Sequence, residues 1–145
     1  MSENIKFENE LVYAVPAIDS DGKVLDKALK GSYVVIPKSH VKTPFDLSEL
    51  EWADTKRMID TVKWHLDEKY KPDGYNLGWN VGRVAGQTVE YAHLHIIPRF
   101  ADEPFANIGI RYWLKKDENT RPSDRNKHIK HLSRNADGRI IDEKV

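Results

Sequence analysis

The chain has 145 residues, no cysteine and a formal net charge of +0 at pH 7. Disulfides, thiolate metal sites and cysteine nucleophiles are therefore excluded, and the balanced charge makes no strong case for nucleic acid as a partner. With 39% hydrophobic and 32% charged residues, the composition is typical of an ordinary globular domain. No apolar run approaches membrane-spanning length and the N-terminal residues lack the regions of a signal peptide, so we expect a cytoplasmic protein with no membrane partner.

The first half of the chain predicts two strands followed by a long helix. Residues 11–15 predict a strand that Pro16 limits, and Tyr33–Ile36 predicts a short strand that is buried on both faces. Apolar residues at three- and four-residue steps then predict a helix from about Leu47 to about Tyr70, with Asp54 as the one flaw in its apolar stripe.

The start of this helix has a candidate cap. Asp46 and Glu49 have the spacing of a capping box, although serine or threonine is the usual first residue. The helix is expected to end at Lys71-Pro72-Asp73-Gly74, because proline and glycine are helix-terminating signals.

A glycine-containing loop follows the next predicted strand, Tyr75–Val81. The loop runs from Asn80 to Thr88, and its side chains include the donors Asn80, Arg83, Gln87 and Thr88. Glycines let backbone N–H groups approach an anion closely, and concave arrays of such groups bind phosphate. The loop is therefore a candidate phosphate site.

Two histidines stand on the strand predicted at Val89–Ile97. Side chains alternate along a strand, so Tyr91, His93 and His95 share one face, while the apolar residues between them face a buried layer. The two imidazoles are then about 6–7 Å apart at Cα, close enough to act on one substrate. Alternatively, the two histidines are simply polar residues on a solvent-exposed strand face. The donor-rich loop just before them favours phosphate chemistry at histidine instead.

The segment GQTVEYAHLHIIPR resembles the signature of the histidine triad (HIT) superfamily, in which three histidines alternate after Gly-Gln-Thr/Ser-Val and often precede Pro-Arg. His93 and His95 fall on the second and third histidines, and Tyr91 falls on the first. Histidine at the third position is typical of the hydrolase branches of this superfamily.

A second motif, residues 31–40, resembles the family segment Gly-His-hydrophobic-Ile-Pro-Lys-x-His, with Ser32 where histidine is usual. The resemblance covers roughly residues 11–99 and implies an α+β fold. We expect an antiparallel sheet of about five strands with one long helix and a shorter C-terminal helix or tail. The predicted organisation is a nucleotide-binding domain at 1–114 and a charged C-terminal extension at 115–145.

The resemblance implies a nucleotide-binding phosphohydrolase that cleaves at the α-phosphorus of a dinucleoside polyphosphate or nucleoside phosphoramidate. His93 would be the nucleophile, forming a nucleotidyl-histidine, and His95 would hydrogen-bond the leaving group or a phosphoryl oxygen. Asn80, Gln87 and Thr88 would bind the phosphate.

The two missing family histidines suggest a supporting pair. Tyr91 and Ser32 are expected to hydrogen-bond, directly or through one water, and to help fix the ring of His93, because both hydroxyls can donate and accept.

The resemblance also implies a nucleotide substrate and a homodimer whose sheets continue across a two-fold axis. No cofactor is expected to be required, with a divalent cation bound alongside the substrate phosphates as the alternative, and no metal site is expected in the protein. Two other classes remain open: a non-catalytic nucleotide-binding module with a degraded triad, and a metal-binding protein that uses His93 and His95. Two imidazoles without a third ligand make a weak metal site.

Several other polar residues have a functional and a structural interpretation. Asp19 is a candidate ribose ligand, and the plain turn aspartate is the preferred interpretation. His40 matches the family segment but is interpreted as a surface histidine near a helix start, and His65 as a structural residue. His128 and His131 share a face if their segment is helical, and a solvated helix or tail is preferred to a metal site.

Overall fold

Five short strands and one long helix make up the first part of the chain. They are β1 (Phe7–Glu8), β2 (Val12–Pro16), β3 (Tyr33–Pro37), α1 (Glu49–Tyr70), β4 (Gly74–Trp79) and β5 (Leu94–Arg99). The structure is a computed structural model and describes residues 6–125, 132–134 and 140–142. It separates into two compact units, Met1–Ile108 and Gly109–Val145, and these six elements belong to the first.

The five strands form one antiparallel sheet in the order β1-β2-β3-β5-β4. The predicted α+β class, with an antiparallel sheet of about five strands and one long helix, is confirmed. The order places β5 between β3 and β4, whereas β1 and β4 lie at the edges. The histidine-bearing segment therefore leads into an interior strand of the sheet.

The core lies between α1 and one face of the sheet. Its buried side chains include Val12 of β2, Val35 of β3, Ile96 of β5, and Val62 and Leu66 of α1. Burying an aliphatic side chain of this size contributes about 1.5–3 kcal/mol. This packing fixes the sheet against the helix and leaves the opposite sheet face available for a site.

The predicted cap of α1 is wrong by two residues. Ser48 is the N-cap: its side chain accepts the Glu51 N–H at 3.1 Å, and Glu51 Oε1 accepts the Ser48 N–H at 2.9 Å. Asp46 instead accepts the N–H and hydroxyl of Thr43, closing a separate 3₁₀ turn. Two capping boxes follow each other here, Thr43–Asp46 and Ser48–Glu51, and the second one starts the α-helix.

The histidine strand is shifted from the range that the sequence predicts. It was expected to start at Val89 and end before Pro98, but β5 is Leu94–Arg99 and contains the proline. The pairing of β3 with β5 extends only to Ile96, so Pro98 has a ladder partner on one side alone, Tyr75 of β4. A proline without an N–H is tolerated where one side of the strand lacks a neighbour.

The second unit contains little regular structure among its described residues. It has two 3₁₀ turns, Asp117–Asn119 and Pro122–Asp124, and a two-stranded antiparallel sheet of β6 (Leu132–Arg134) and β7 (Ile140–Asp142). The described part of this unit shows no α-helix, and His128 and His131 lie outside the described residues. Across the described ranges, no helix is both long and apolar enough to cross a membrane.

Candidate functional site

His93 and His95 lie side by side on the sheet face away from the core. Ala92, Leu94 and Ile96, which alternate with them, are 1%, 3% and 1% exposed. The alternation of buried and cavity-facing side chains therefore starts at residue 92, before the strand pairing of β5 begins. The ring centroids of the two histidines are 4.9 Å apart, with an interplanar angle of 67°. One ligand group can therefore contact both rings.

The ring of His93 is oriented by the backbone just before it. Its Nδ1 lies 3.1 Å from the carbonyl oxygen of Tyr91. Because a carbonyl can only accept, Nδ1 carries the hydrogen and Nε2 keeps its lone pair. This is the tautomer that presents a nucleophilic nitrogen to a ligand.

His95 is held in its neutral form. Burial lowers the pKa of His95 below the ordinary histidine value, and the positive charge of a protonated His93 lowers it further. Its Nε2 is buried and has no hydrogen-bond partner in the described part of the chain. A buried polar atom without a partner is costly, so a ligand atom that bonds to this nitrogen would gain affinity.

Both imidazoles line a cavity of about 340 Å³. Most of its wall is apolar, and includes Val15 of β2, Val34 of β3 and Ile18 after β2. Small-molecule sites are mostly apolar with a few placed polar groups, and have volumes of about 300–1,000 Å³. The cavity thus has the size and lining of a small-molecule site, with the polar groups at one side.

Of the three predicted phosphate-binding residues, Thr88 lines the cavity, whereas Asn80 and Gln87 are not among its lining residues. The Gln87 side chain is already engaged: Oε1 accepts the Gly82 N–H and Nε2 donates to the Lys42 carbonyl, both at 2.8 Å. In this structure Gln87 therefore fastens the donor loop to the segment after β3.

The predicted direct hydrogen bond between Ser32 and Tyr91 is wrong. The Oγ of Ser32 is buried and has no hydrogen-bond partner among the described residues, and Ser32 does not line the histidine cavity. Tyr91 does line it, and its ring packs elsewhere, against His40. The direct bond is therefore not made, and a link through one water stays a prediction.

The contacts of His40 were not predicted from the sequence. Its side chain is exposed, as a surface histidine would be, but its Nε2 lies 3.0 Å from the Tyr13 hydroxyl. Its ring also stacks on Tyr91 with a centroid distance of 4.7 Å and an interplanar angle of 15°. His40 sits on a turn, where no strand period applies; its place in the second motif was the available signal.

The other doubtful residues have structural roles. Asp19 Oδ1 accepts the N–H groups of Asp21 and Lys23 at 2.8 and 2.9 Å, as a turn aspartate does. The ring of His65 lies 5.3 Å from that of Phe7, and burial, followed by nearby lysine charges, lowers its pKa.

The described residues contain no group of three or more His, Asp or Glu side chains that could hold a metal ion. His93 and His95 therefore lack a third protein ligand within that part of the chain. A structural or catalytic zinc site needs at least three protein ligands.

Comparison with known proteins places the cavity within a recognised domain. The HIT domain profile matches residues 2–102. Adenosine 5'-monophosphoramidase hnt1 of Schizosaccharomyces pombe is 35% identical over 80 residues, which are 55% of this chain and 57% of that protein. Bis(5'-adenosyl)-triphosphatase of Dictyostelium discoideum is 36% identical over 75 residues, 52% of this chain and 50% of that protein.

The chain thus spans about half the length of these curated relatives. Among solved structures, a HIT family protein from Bacillus anthracis superposes with a TM-score of 0.57 at 31% sequence identity. The matched region covers 68% of this chain and 65% of that one.

Proposed function

Because the chain belongs to the HIT domain family, whose profile spans residues 2–102, we propose that it is a nucleotide hydrolase. It cleaves at the α-phosphorus of a dinucleoside polyphosphate or a nucleoside phosphoramidate. The observation that carries this proposal is the orientation of His93, whose Nδ1 bonds to the Tyr91 carbonyl at 3.1 Å and leaves Nε2 free to attack. The names of the two relatives, a phosphoramidase and a triphosphatase, support the same reaction class.

The reaction has two displacement steps. Nε2 of His93 attacks the α-phosphorus and forms a nucleotidyl-histidine as the bond to the leaving group breaks; a nucleotide leaves with the electron pair of that bond, and an amine also takes up a proton from solvent. Water then attacks the same phosphorus and loses a proton to solvent, which releases the mononucleotide and returns His93 to its neutral form. Splitting one difficult displacement into two easier ones is the benefit of covalent catalysis.

Neutral His95 binds a phosphoryl oxygen or the leaving group through the ring nitrogen that is otherwise without a partner. Thr88, which lines the cavity, binds the phosphate oxygens, where negative charge increases in the transition state. Gln87 contributes indirectly, by holding the loop at 80–88 in place. The apolar wall of the cavity takes the nucleoside.

A substrate panel tests the activity. Dinucleoside polyphosphates and nucleoside phosphoramidates are incubated with the protein, with and without a chelator, and scored for mononucleotide release. We expect release from at least one class and a nucleotidyl-enzyme in rapid-quench samples. Nucleotide binding without release from any compound would instead support the non-catalytic module, and loss of release with chelator would show that a divalent cation is required.

The rate should fall on the acid side. Protonated imidazole has no lone pair at Nε2 for attack, so acid removes the nucleophile. The lowered pKa of His95 means that this residue stays neutral to lower pH than an ordinary histidine, so His95→Gln should lower the rate but keep the acid limb. The measurement is kcat/KM from pH 4.5 to 8.5 for both proteins. A flat profile down to about pH 4.5 contradicts attack by imidazole.

The protein should form a homodimer through the edge strand β4. Among the described residues this six-residue strand pairs only with β5, and its Leu77 is 43% exposed. A charge on an edge strand blocks pairing between sheets, so Leu77→Lys should give a monomer in light scattering. Leu50→Lys on α1, where the leucine is 73% exposed, is the matched control and should remain dimeric. A wild-type monomer at micromolar concentration rejects the dimer.

A further inference from the structure

His40 lies on the turn between β3 and α1 in a backbone conformation that few side chains adopt. Its φ is 53°, in the left-handed region, and its N–H donates to the Pro37 carbonyl at 3.0 Å. Histidine enters this region more readily than most residues, although at some cost. Such a conformation persists where the surrounding contacts fix it, and functional sites are a common place for it.

The turn that carries His40 is fastened on two sides. The Ser39 hydroxyl donates to Glu51 Oε2 at 2.5 Å, which ties the turn to the first turn of α1. The Ala92 N–H donates to the Val41 carbonyl at 2.7 Å, which ties it to the histidine segment. The position of His40 is therefore fixed relative to both the helix and the site.

A continuous series of contacts runs from this turn to His93. The Tyr13 hydroxyl lies 3.0 Å from His40 Nε2, and the His40 ring stacks on Tyr91 at 4.7 Å. The Tyr91 carbonyl then accepts Nδ1–H of His93. Each of the four residues contacts the next, and the series ends on the group that selects the tautomer of the nucleophile.

We propose that His40 is a positioning residue for His93 and acts through Tyr91. The Tyr91 ring cannot turn away without losing its stacking on His40, so His40 restrains the backbone at position 91. That backbone carries the carbonyl which keeps the hydrogen on His93 Nδ1. The catalytic part of this proposal rests on the proposed function, whereas the orientation of His93 does not.

The first test needs no substrate. The ring nitrogens of histidine are observed by NMR in the ligand-free protein and in His40→Asn. Asparagine accepts the left-handed backbone, so this variant removes the ring without adding strain. We expect His93 to be in the Nδ1–H form in the wild type and in a mixture of tautomers in His40→Asn. An unchanged His93 pattern in a folded His40→Asn overturns the proposal.

A matched pair of tyrosine variants tests the start of the series. Tyr13→Phe removes the hydroxyl that bonds to His40, and Tyr75→Phe removes one that bonds to Asp67 at 2.7 Å, away from the cavity. Tyr13→Phe should shift the His93 signals in the same direction as His40→Asn, and Tyr75→Phe should leave them unchanged. Equal shifts in the two tyrosine variants contradict the series.

The kinetic test uses single turnover at saturating substrate. His40→Asn should lower the rate about tenfold, within the range of coupling found for contacting residues. Tyr13→Phe should lower it in the wild type and add nothing in the His40→Asn background; independent effects overturn the link through His40. A protein that releases no mononucleotide fails the proposed function, and the NMR test still decides the positioning role.

Discussion

His93→Ala is expected to abolish turnover, with a loss of at least about a thousandfold, because removal of a covalent nucleophile eliminates the intermediate itself. The ring hydrogen-bonds to the Tyr91 carbonyl and is only partly buried, so folding should be retained. The measurement is single-turnover release of mononucleotide together with equilibrium binding of a nucleotide, which should remain within a few-fold of wild type.

Free imidazole supplies the control for this variant. The space left by the ring opens into the cavity that His93 lines, so added imidazole should restore part of the rate in His93→Ala and leave the wild type unaffected. Turnover of the variant within about tenfold of wild type would mean that another group attacks the phosphorus.

Asp54→Ala should lower the free energy of unfolding by about 2–3 kcal/mol, the cost of leaving buried polar groups unpaired. Asp54 is 9% exposed. Its Oδ2 accepts the Leu11 N–H at 3.0 Å and its Oδ1 pairs with Arg57 at 2.8 Å. The carboxylate thereby joins the start of β2 to α1, and alanine would leave the Leu11 N–H with only a weaker contact to Asn9 at 3.3 Å.

Asp60→Ala is the matched control on the same helix. Asp60 pairs with Lys56 at 2.6 Å, but both side chains are more than half exposed. Exposed pairs of this kind contribute little to stability, so the control should change the unfolding free energy by less than about 0.5 kcal/mol. Urea denaturation measures both variants. Equal losses in the two would show that burial does not distinguish these carboxylates.

Asp54 also shows what a periodic sequence pattern does not predict. The helical period identifies it as a polar residue on an apolar stripe, which looks like a flaw. Besides Arg57, its partners lie more than forty residues away: the Leu11 N–H donates to the Asp54 carboxylate, and the Asn9 side-chain amide donates to the Asp54 backbone carbonyl. A periodic pattern carries no information about a contact of that separation, so the sequence could locate the residue but not assign its role.

In the histidine segment too, local features were predictable from the sequence and long-range contacts were not. Alternation was sufficient to place His93 and His95 together, because it depends only on neighbouring residues. The bounds of β5, Leu94–Arg99, are those of its pairing with β4, which is set by the fold. The engaged amide of Gln87 and the stacking of His40 on Tyr91 likewise arise from segments that are distant in sequence.

The contacts between the segment after β3 and the loop before β5 bear on how this site opens. Gln87 donates to Lys42, and Ala92 donates to Val41. Local opening of either loop must break both bonds, so the two loops should exchange their amide hydrogens as one cooperative unit. Because these two loops are already ordered before a phosphate ligand binds, ordering them takes little of the binding free energy.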